Sequence, residues 1–386
     1  MTVVRVSRKG ADRVRSGHPW IFASDVTDRG QAAGGEAVKV VDPKGGLVGV
    51  AHYSSASQIC LRMLTARVEP VNRDFFLRRL TAALAHRRRV VAASDAYRLV
   101  HGEGDLLPAL IVDRYGDYLV VQTLSQGMER AKAEIVDALV ELLAPRGIVE
   151  RNDAGVRTKE ELPLVAGPLY GETPARVAFQ MNGLHFEANL AAGHKTGLFL
   201  DQRENYVAAA RHAQGRALDC FTSAGGFALH LAARCESVEA VDSSEAALEL
   251  AEANRQANGI ENVHFRKADV FDLLAGYAAG GREFSTVVLD PPAFAKSRRE
   301  LEGAARGYKE INLRALRLLG PGGVLVTCSC SQHVSEAMLL QIIAEAALDA
   351  RRTLRVLERR TQAQDHPILL TVPETHYLKC LILEVL

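Results

Sequence analysis

The spacing of apolar residues divides the chain into three stretches of different rhythm. Near the N-terminus the pattern alternates as short strands do, in Met1-Thr2-Val3-Val4-Arg5-Val6, Glu36-Ala37-Val38-Lys39-Val40-Val41-Asp42 and Leu47-Val48-Gly49-Val50-Ala51-His52-Tyr53. A Pro43-Lys44-Gly45-Gly46 turn joins the last two. These runs predict a compact β-rich module over residues 1–73, with Trp20 and Phe22 expected in its core. From Asn72 to Val91, Phe75, Phe76, Leu80 and Leu84 recur at helical spacing. Strands are then expected from Tyr97 to Val100 and on both sides of Tyr115-Gly116-Asp117, and a helix from Gly127 to Leu143 that ends before Pro145. Further strands from Gly147 to Arg151 and from Arg176 to Gln180, separated by a loop, complete a small α/β (strand-strand-helix-strand-strand) domain over 74–181.

After residue 182 strands alternate with helices, which predicts a parallel sheet covered on both faces. Strands are expected at Ala217-Leu218-Asp219-Cys220-Phe221, from Ser237 to Asp242, from Val263 to Asp269, from Ser285 into Asp290-Pro291-Pro292, and from Gly322 to Ser331. The fold class is therefore α/β, in three domains: 1–73, 74–181 and 182–386.

Composition changes this picture little. The chain has 386 residues, 48% hydrophobic and 24% charged, with no apolar run long enough to span a bilayer and no signal-peptide core at its start, so a cytoplasmic location is expected. Six scattered cysteines form neither a disulfide framework nor a Cys-x-x-Cys pair, so no metal site is expected and the thiols are expected to be reduced. A net charge of +1 says nothing for or against a nucleic-acid partner. Local charge says more: Arg5, Arg8, Lys9, Arg13 and Arg15 stand against Asp12 alone, a local net charge of +4. They lead into His18-Pro19-Trp20-Ile21-Phe22 and are the candidate RNA contacts. The Arg87-Arg88-Arg89 run suits a helix C-terminus as well as an RNA contact.

The chemistry lies in the last stretch. Thr222-Ser223-Ala224-Gly225-Gly226 is a tight turn between a strand and a helix, where a ligand can approach the backbone. The dinucleotide fingerprint G-x-G-x-x-G is absent, which disfavours a pyrophosphate cofactor. Three successive strands end in Asp219, Asp242 and Asp269, a pattern suited to a nucleoside carrying an amino acid. Helix caps and turn acids account for any one of these acids and strain to account for all three. The Asp290-Pro291-Pro292 turn can face the edge of a flipped base. Thr327-Cys328-Ser329-Cys330-Ser331 places a thiol at a strand end. Carbon 5 of a pyrimidine has no lone pair, and a thiolate adding to carbon 6 makes it nucleophilic, whereas a ring nitrogen or amine needs no such help. Cys330, nearer the open edge than Cys328, is the candidate nucleophile.

Residues 1–73, with their basic start, His18-Pro19-Trp20 signature and glycine-turn hairpin, resemble a PUA domain, an RNA-binding β-barrel module. The acids and the glycine turn resemble a Rossmann-like class I S-adenosylmethionine (SAM)-dependent methyltransferase. Nearly the whole chain resembles the bacterial 23S ribosomal RNA cytosine-C5 methyltransferases of the large subunit methyltransferase I family. The motifs that carry this are His18-Pro19-Trp20, Val112-Asp113-Arg114-Tyr115-Gly116-Asp117, Lys195-Thr196-Gly197-Leu198-Phe199-Leu200-Asp201-Gln202-Arg203, Asp290-Pro291-Pro292, Ser329-Cys330-Ser331 and Asp365-His366-Pro367. The resemblance implies SAM as cofactor and 23S ribosomal RNA as partner, with no membrane or metal. It implies that Asp219 and the Gly225-Gly226 turn lie by the methionine moiety, that Asp242 binds the ribose and Asp269 the adenine amino group, and that Ser223 and Ser243 also contact the cofactor. It adds Phe199, Asp201, Gln202 and Asp290 as further cofactor contacts. Cys330 and Asp290 are the implied catalytic pair. Lys379 stands where related uridine enzymes carry a glutamate base, so that role does not transfer and the proton acceptor, Asp290 or water, stays open. Two alternatives remain: a nitrogen or amine methyltransferase with both cysteines in the core, and a non-catalytic RNA-binding or assembly protein. The sequence also leaves open whether the chain forms a homodimer.

Overall fold

The computed structural model describes residues 1–190, 199–295 and 297–386, and it forms two units. Lys195-Thr196-Gly197-Leu198 lies outside the described residues; Phe199 to Arg203 lies within them.

The first unit comprises Met1–Gly183, the short stretch from Ala188 that ends before Phe199, and Gln364–Thr375. A six-stranded sheet at its start has the order Trp20–Phe22, Ile59–Thr65, Leu47–Tyr53, Ala37–Val41, Val3–Val6, Val26–Asp28. Its core is Val4, Val6, Ile21, Val38, Val40 and Leu61. Trp20 and Phe22 depart from expectation, because strand alternation sends Ile21 inward and leaves both aromatics half-buried. Trp20 Nε1 donates to Glu103 at 2.8 Å, and Arg13 stacks over Phe22.

A five-stranded sheet follows, in the order Val165–Gly171, Gly147–Asn152, Tyr118–Thr123, Leu110–Tyr115, Ala96–His101. The helices Arg73–Val90 and Lys132–Leu143 share one core with it, through Phe75, Phe76, Leu80, Ile135 and Leu139 against Leu99, Val112 and Val121. Its fifth strand is Val165–Gly171, in the stretch expected to be a loop, while Arg176–Met181, expected in this sheet, is a strand outside it. The burial pattern gives the reason: Val165–Gly171 is an edge strand with no buried residue, so it lacks apolar alternation. The helix expected from Gly127 to Leu143 is two, Gln126–Arg130 and Lys132–Leu143, meeting at Ala131. Asp365-His366-Pro367 braces this unit. The Asp365 carbonyl accepts from buried Arg87 at 2.7 Å, and its carboxylate accepts from the Arg98 N–H at 2.9 Å.

The second unit carries Leu184–Glu187, Phe199–Ala363 and His376–Leu386. Its strands are β1 (Arg216–Cys220), β2 (Ser237–Asp242), β3 (Val263–Lys267), β4 (Phe284–Leu289), β5 (Leu319–Ser329), β6 (Leu354–Arg360) and β7 (Lys379–Val385). They pair in the order β3-β2-β1-β4-β5-β7-β6. The first five run parallel, and β7 inserts antiparallel between β5 and β6. The helices are α1 (Arg203–His212), α2 (Gly226–Leu231), α3 (Glu245–Ala257), α4 (Val270–Ala279), α5 (Leu301–Leu318) and α6 (Glu336–Asp349). One core joins Leu218, Val241, Val287 and Leu325 of the sheet to Ile311, Leu339 and Ile343 of the helices. Continuous burial of β1, β4 and β5 explains their runs of apolar residues. Among the described residues no helix is long and apolar enough to cross a membrane.

Candidate active site

Strand order reverses at β1, and ligands of open α/β sheets collect outside the carboxyl ends of the strands at such a point. Asp219 and Asp242 lie at the carboxyl ends of β1 and β2, and Asp269, Asp290 and Cys330 follow β3, β4 and β5 at the same edge. Register aligns them, since Cys220 pairs with Leu289 and Leu289 with Thr327, which puts Asp290 level with Cys328 and Cys330 two residues further out.

The turn after β1 is held in an unusual backbone. Phe221, Ser223 and Gly225 all have positive φ, of 65°, 49° and 85°. Non-glycine residues there are strained, and such strain gathers at functional sites. The Asp242 carboxylate grips the turn by accepting from the Ser223 N–H at 2.9 Å with one oxygen, and from the Ser244 N–H at 2.9 Å with the other. Ser243, between them, is exposed. Gly226 is required by close approach: a Cβ there would stand 2.4 Å from Cζ of the Tyr206 ring. The Tyr206 hydroxyl in turn donates to the Phe199 carbonyl at 3.2 Å, so one side chain meets both Phe199 and the turn.

Asp219 is fully buried. One oxygen accepts from Thr222 Oγ1 at 2.6 Å and the Ala228 N–H at 3.0 Å, while Oδ1 has no partner among the described residues. Burial pushes its pKa up to about 7, against the pull of those two hydrogen bonds. An orphaned carboxylate oxygen fits a cationic donor such as the ammonium of a methionine moiety. Asp269 caps α4, accepting from the N–H groups of Phe271 and Asp272 at 2.8 and 3.1 Å through Oδ1. The cap reading therefore describes what this acid does within the chain.

Asp201 and Gln202 are both buried and both occupied. Asp201 accepts from the Tyr377 hydroxyl at 2.6 Å. Gln202 donates to Asp290 Oδ1 at 3.0 Å and accepts from Asn205 at 2.7 Å, so it orients the carboxylate of the Asp-Pro-Pro turn.

Of the six cysteines, all free, five are buried and Cys330 is partly exposed. Burial beside Cys380 pushes Cys328 well above the ordinary thiol value, which keeps it protonated. The serines on either side of Cys330 point inward. The Tyr308 hydroxyl lies 2.9 Å from Ser329 Oγ and 3.1 Å from Ser331 Oγ, and Ser331 Oγ accepts from the Ala295 N–H at 3.3 Å. Those bonds fix the Ser329–Ser331 loop to the segment that follows the Asp-Pro-Pro turn.

The comparisons with known proteins bear on this arrangement. A family model described as S-adenosylmethionine-dependent methyltransferase matches residues 163–383, and one described as PUA-like domain matches 4–66. Ribosomal RNA large subunit methyltransferase I of Tolumonas auensis is 44% identical over 375 residues, 95% of this chain and 94% of its own. The chain belongs to the large subunit methyltransferase I family. SAM is the cofactor of that family model, and the α/β fold class with an N-terminal PUA-like domain is as expected. Two solved structures share the fold along their full length and that of this chain, each with a TM-score of 0.84. One is a Streptococcus mutans protein assigned as a SAM-dependent methyltransferase, 19% identical, and the other is SMU.776, 18% identical and solved in complex with SAH.

Sequence reasoning missed two tyrosines beside the candidate site. Tyr206 and Tyr308 drew no attention in the sequence, and their hydroxyls meet partners that only the fold brings near. Lys379 was visible as the residue in a glutamate's place, with no sign of what it faces. In the first unit the basic start is less open than its charge implies: Arg15 pairs with Asp42 at 2.6 Å, Arg8 with Asp12 at 3.5 Å, and Arg5 donates to the Pro43 carbonyl at 3.2 Å. Lys9, in the same helix (Arg8–Arg15), is exposed.

Proposed function

We propose that this protein methylates carbon 5 of a cytosine in 23S ribosomal RNA, in the cytoplasm, with Cys330 as covalent nucleophile. The observation that carries this reading is the position of Cys330: the partly exposed cysteine stands just past the end of β5, one strand over from Asp290-Pro291-Pro292. As thiolate, Cys330 Sγ adds to carbon 6 and makes carbon 5 a carbon nucleophile. Bound SAM supplies an electrophilic methyl group. Loss of the carbon 5 proton, to Asp290 or a water, and departure of Sγ restore the aromatic ring and the thiolate. Asp290, oriented by Gln202, faces the polar edge of the base. For the cofactor, Asp242 keeps lone pairs for ribose hydroxyls, Asp269 Oδ2 for the adenine amine and Asp219 Oδ1 for the ammonium, with Ser223, Ser243, Gly225, Gly226, Phe199, Asp201 and Gln202 lining the same edge. Arg5, Arg8, Lys9, Arg13 and Arg15 belong to the RNA-binding face of a PUA-like domain at 1–73, followed by a central domain at 74–181 and the methyltransferase domain at 182–386.

Nucleoside mass spectrometry of ribosomal RNA from cells lacking the protein tests this. One 5-methylcytidine is expected to disappear from 23S RNA and to return with the wild-type gene. Unchanged 5-methylcytidine at every site sinks the proposal, and loss of an N-methylated base instead assigns the other chemistry.

Asp219 adds a pH dependence. Its pKa of about 7 means that the ligand-free protein holds the proton below neutrality, whereas an ammonium partner requires the carboxylate. SAM affinity is therefore expected to rise between about pH 6 and pH 8, approaching tenfold per unit on the acid side, with proton release on binding. Calorimetry in buffers of different ionisation enthalpy measures both; affinity flat across that range removes Asp219 from the ammonium site.

A further inference from the structure

Lys379 begins β7 and pairs in register with Ser329, the last residue of β5. Only 4% of it is exposed. An ammonium has three donors, and two of them go to backbone carbonyls, Ser331 at 2.7 Å and Tyr377 at 2.8 Å. No carboxylate forms an ion pair with it among the described residues. The charged or ionisable groups that bear on it are the Cys330 thiol, from the loop between Ser329 and Ser331, and Glu336 at the start of α6. Tyr308 of α5, whose hydroxyl meets the serines on either side of Cys330, also feels the charge of that thiol. Burial lowers the pKa of Lys379 to about 8, and Cys330 leads the groups that raise it again. A buried ammonium with only neutral acceptors is costly, and that cost falls when an anion forms beside it.

We propose that Lys379 is the counter-ion of the Cys330 thiolate, a positioning residue whose charge keeps the nucleophile ionised at neutral pH. The thiol proton goes to solvent and Lys379 keeps its own. This rests on the reading of Cys330 as nucleophile and deepens it: the position vacated by a glutamate base holds a cation that serves the sulfur. The lysine also ties the loop in place, because one of its acceptors is the carbonyl of the residue next to Cys330.

The test is alkylation of Cys330 by iodoacetamide, followed by peptide mass spectrometry across pH in the full chain. In the wild type the midpoint is expected about one unit or more below the ~8.5 of an ordinary thiol. Lys379→Gln keeps a donor for the carbonyls and loses the charge, so the midpoint is expected to rise by at least about one unit and the rate near pH 7 to fall about tenfold. Lys379→Arg is expected to restore most of it. A midpoint in the wild type at or above an ordinary thiol overturns the proposal, whether or not the variants fold. So does an unchanged profile in a Lys379→Gln protein that still binds SAM. Failure of the underlying reading looks different: methyl transfer persists in Cys330→Ala while the alkylation profile still follows the charge at 379.

Discussion

Cys330→Ala is expected to abolish methyl transfer, by about 10⁴-fold or more, the scale on which losing a nucleophile acts, while SAM binding stays at the wild-type level. The separation follows from the fold. Cys330 stands past the end of β5, whereas the turn and acids proposed for SAM lie at the ends of β1, β2 and β3. Its side chain holds neither the Tyr308–Ser331 bonds nor the grip of Asp242 on Ser223. Cys328→Ala is the control. That thiol is fully buried beside Cys380 and held in its protonated form, so its removal is expected to cost about 1–2 kcal/mol of stability and to leave substantial activity. A methyl-transfer assay with transcribed 23S RNA fragments, beside a SAM titration, reads both. An active Cys330→Ala with an inactive Cys328→Ala reassigns the nucleophile, and two active variants remove the covalent step.

Asp242→Ala is expected to raise the SAM dissociation constant by about a hundredfold or more. Its carboxylate accepts from two backbone N–H groups, and hydrogen bonds to a charged acceptor contribute about 1.5–3 kcal/mol each. Losing them frees a turn whose Phe221 and Ser223 are held at positive φ, so the cofactor edge relaxes as well as losing a ribose contact. Asp242→Asn keeps one acceptor oxygen and is expected to fall between wild type and alanine. Equilibrium dialysis with labelled SAM, with a melting curve for each variant, checks this; wild-type affinity in Asp242→Ala refutes the assignment.

Much of this site was legible in the chain because its parts are local. A strand ending in an acid, a glycine turn and an apolar helix leave periodic signals, and Asp219, Asp242, Asp269, Asp290 and Cys330 all fall at strand ends on one edge. What was not legible depends on distant pairing. Val165–Gly171 is recognisable as a strand only beside Gly147–Asn152, because nothing in it is buried. Ala131 carries no helix-breaking side chain, so the break there leaves no local mark. Arg15 looks like a free cation until the hairpin turn brings Asp42 to it. Asp201 and Gln202 were expected at the cofactor, and in the fold they bond to Tyr377 and Asp290. Asp365-His366-Pro367 was legible as a motif without a purpose, which its bonds to Arg87 and Arg98 supply.

The place of β7 sets the order in which this unit becomes competent during synthesis. It leaves the ribosome after β5 and β6, yet it lies between them. Until Lys379–Val385 emerges, β5 and β6 each present an open edge, and Cys328 lacks the Cys380 neighbour that shields it. A nascent chain can thus form β1 to β4 early, while the Ser329–Ser331 loop acquires its bond from Lys379 only when β7 slots in.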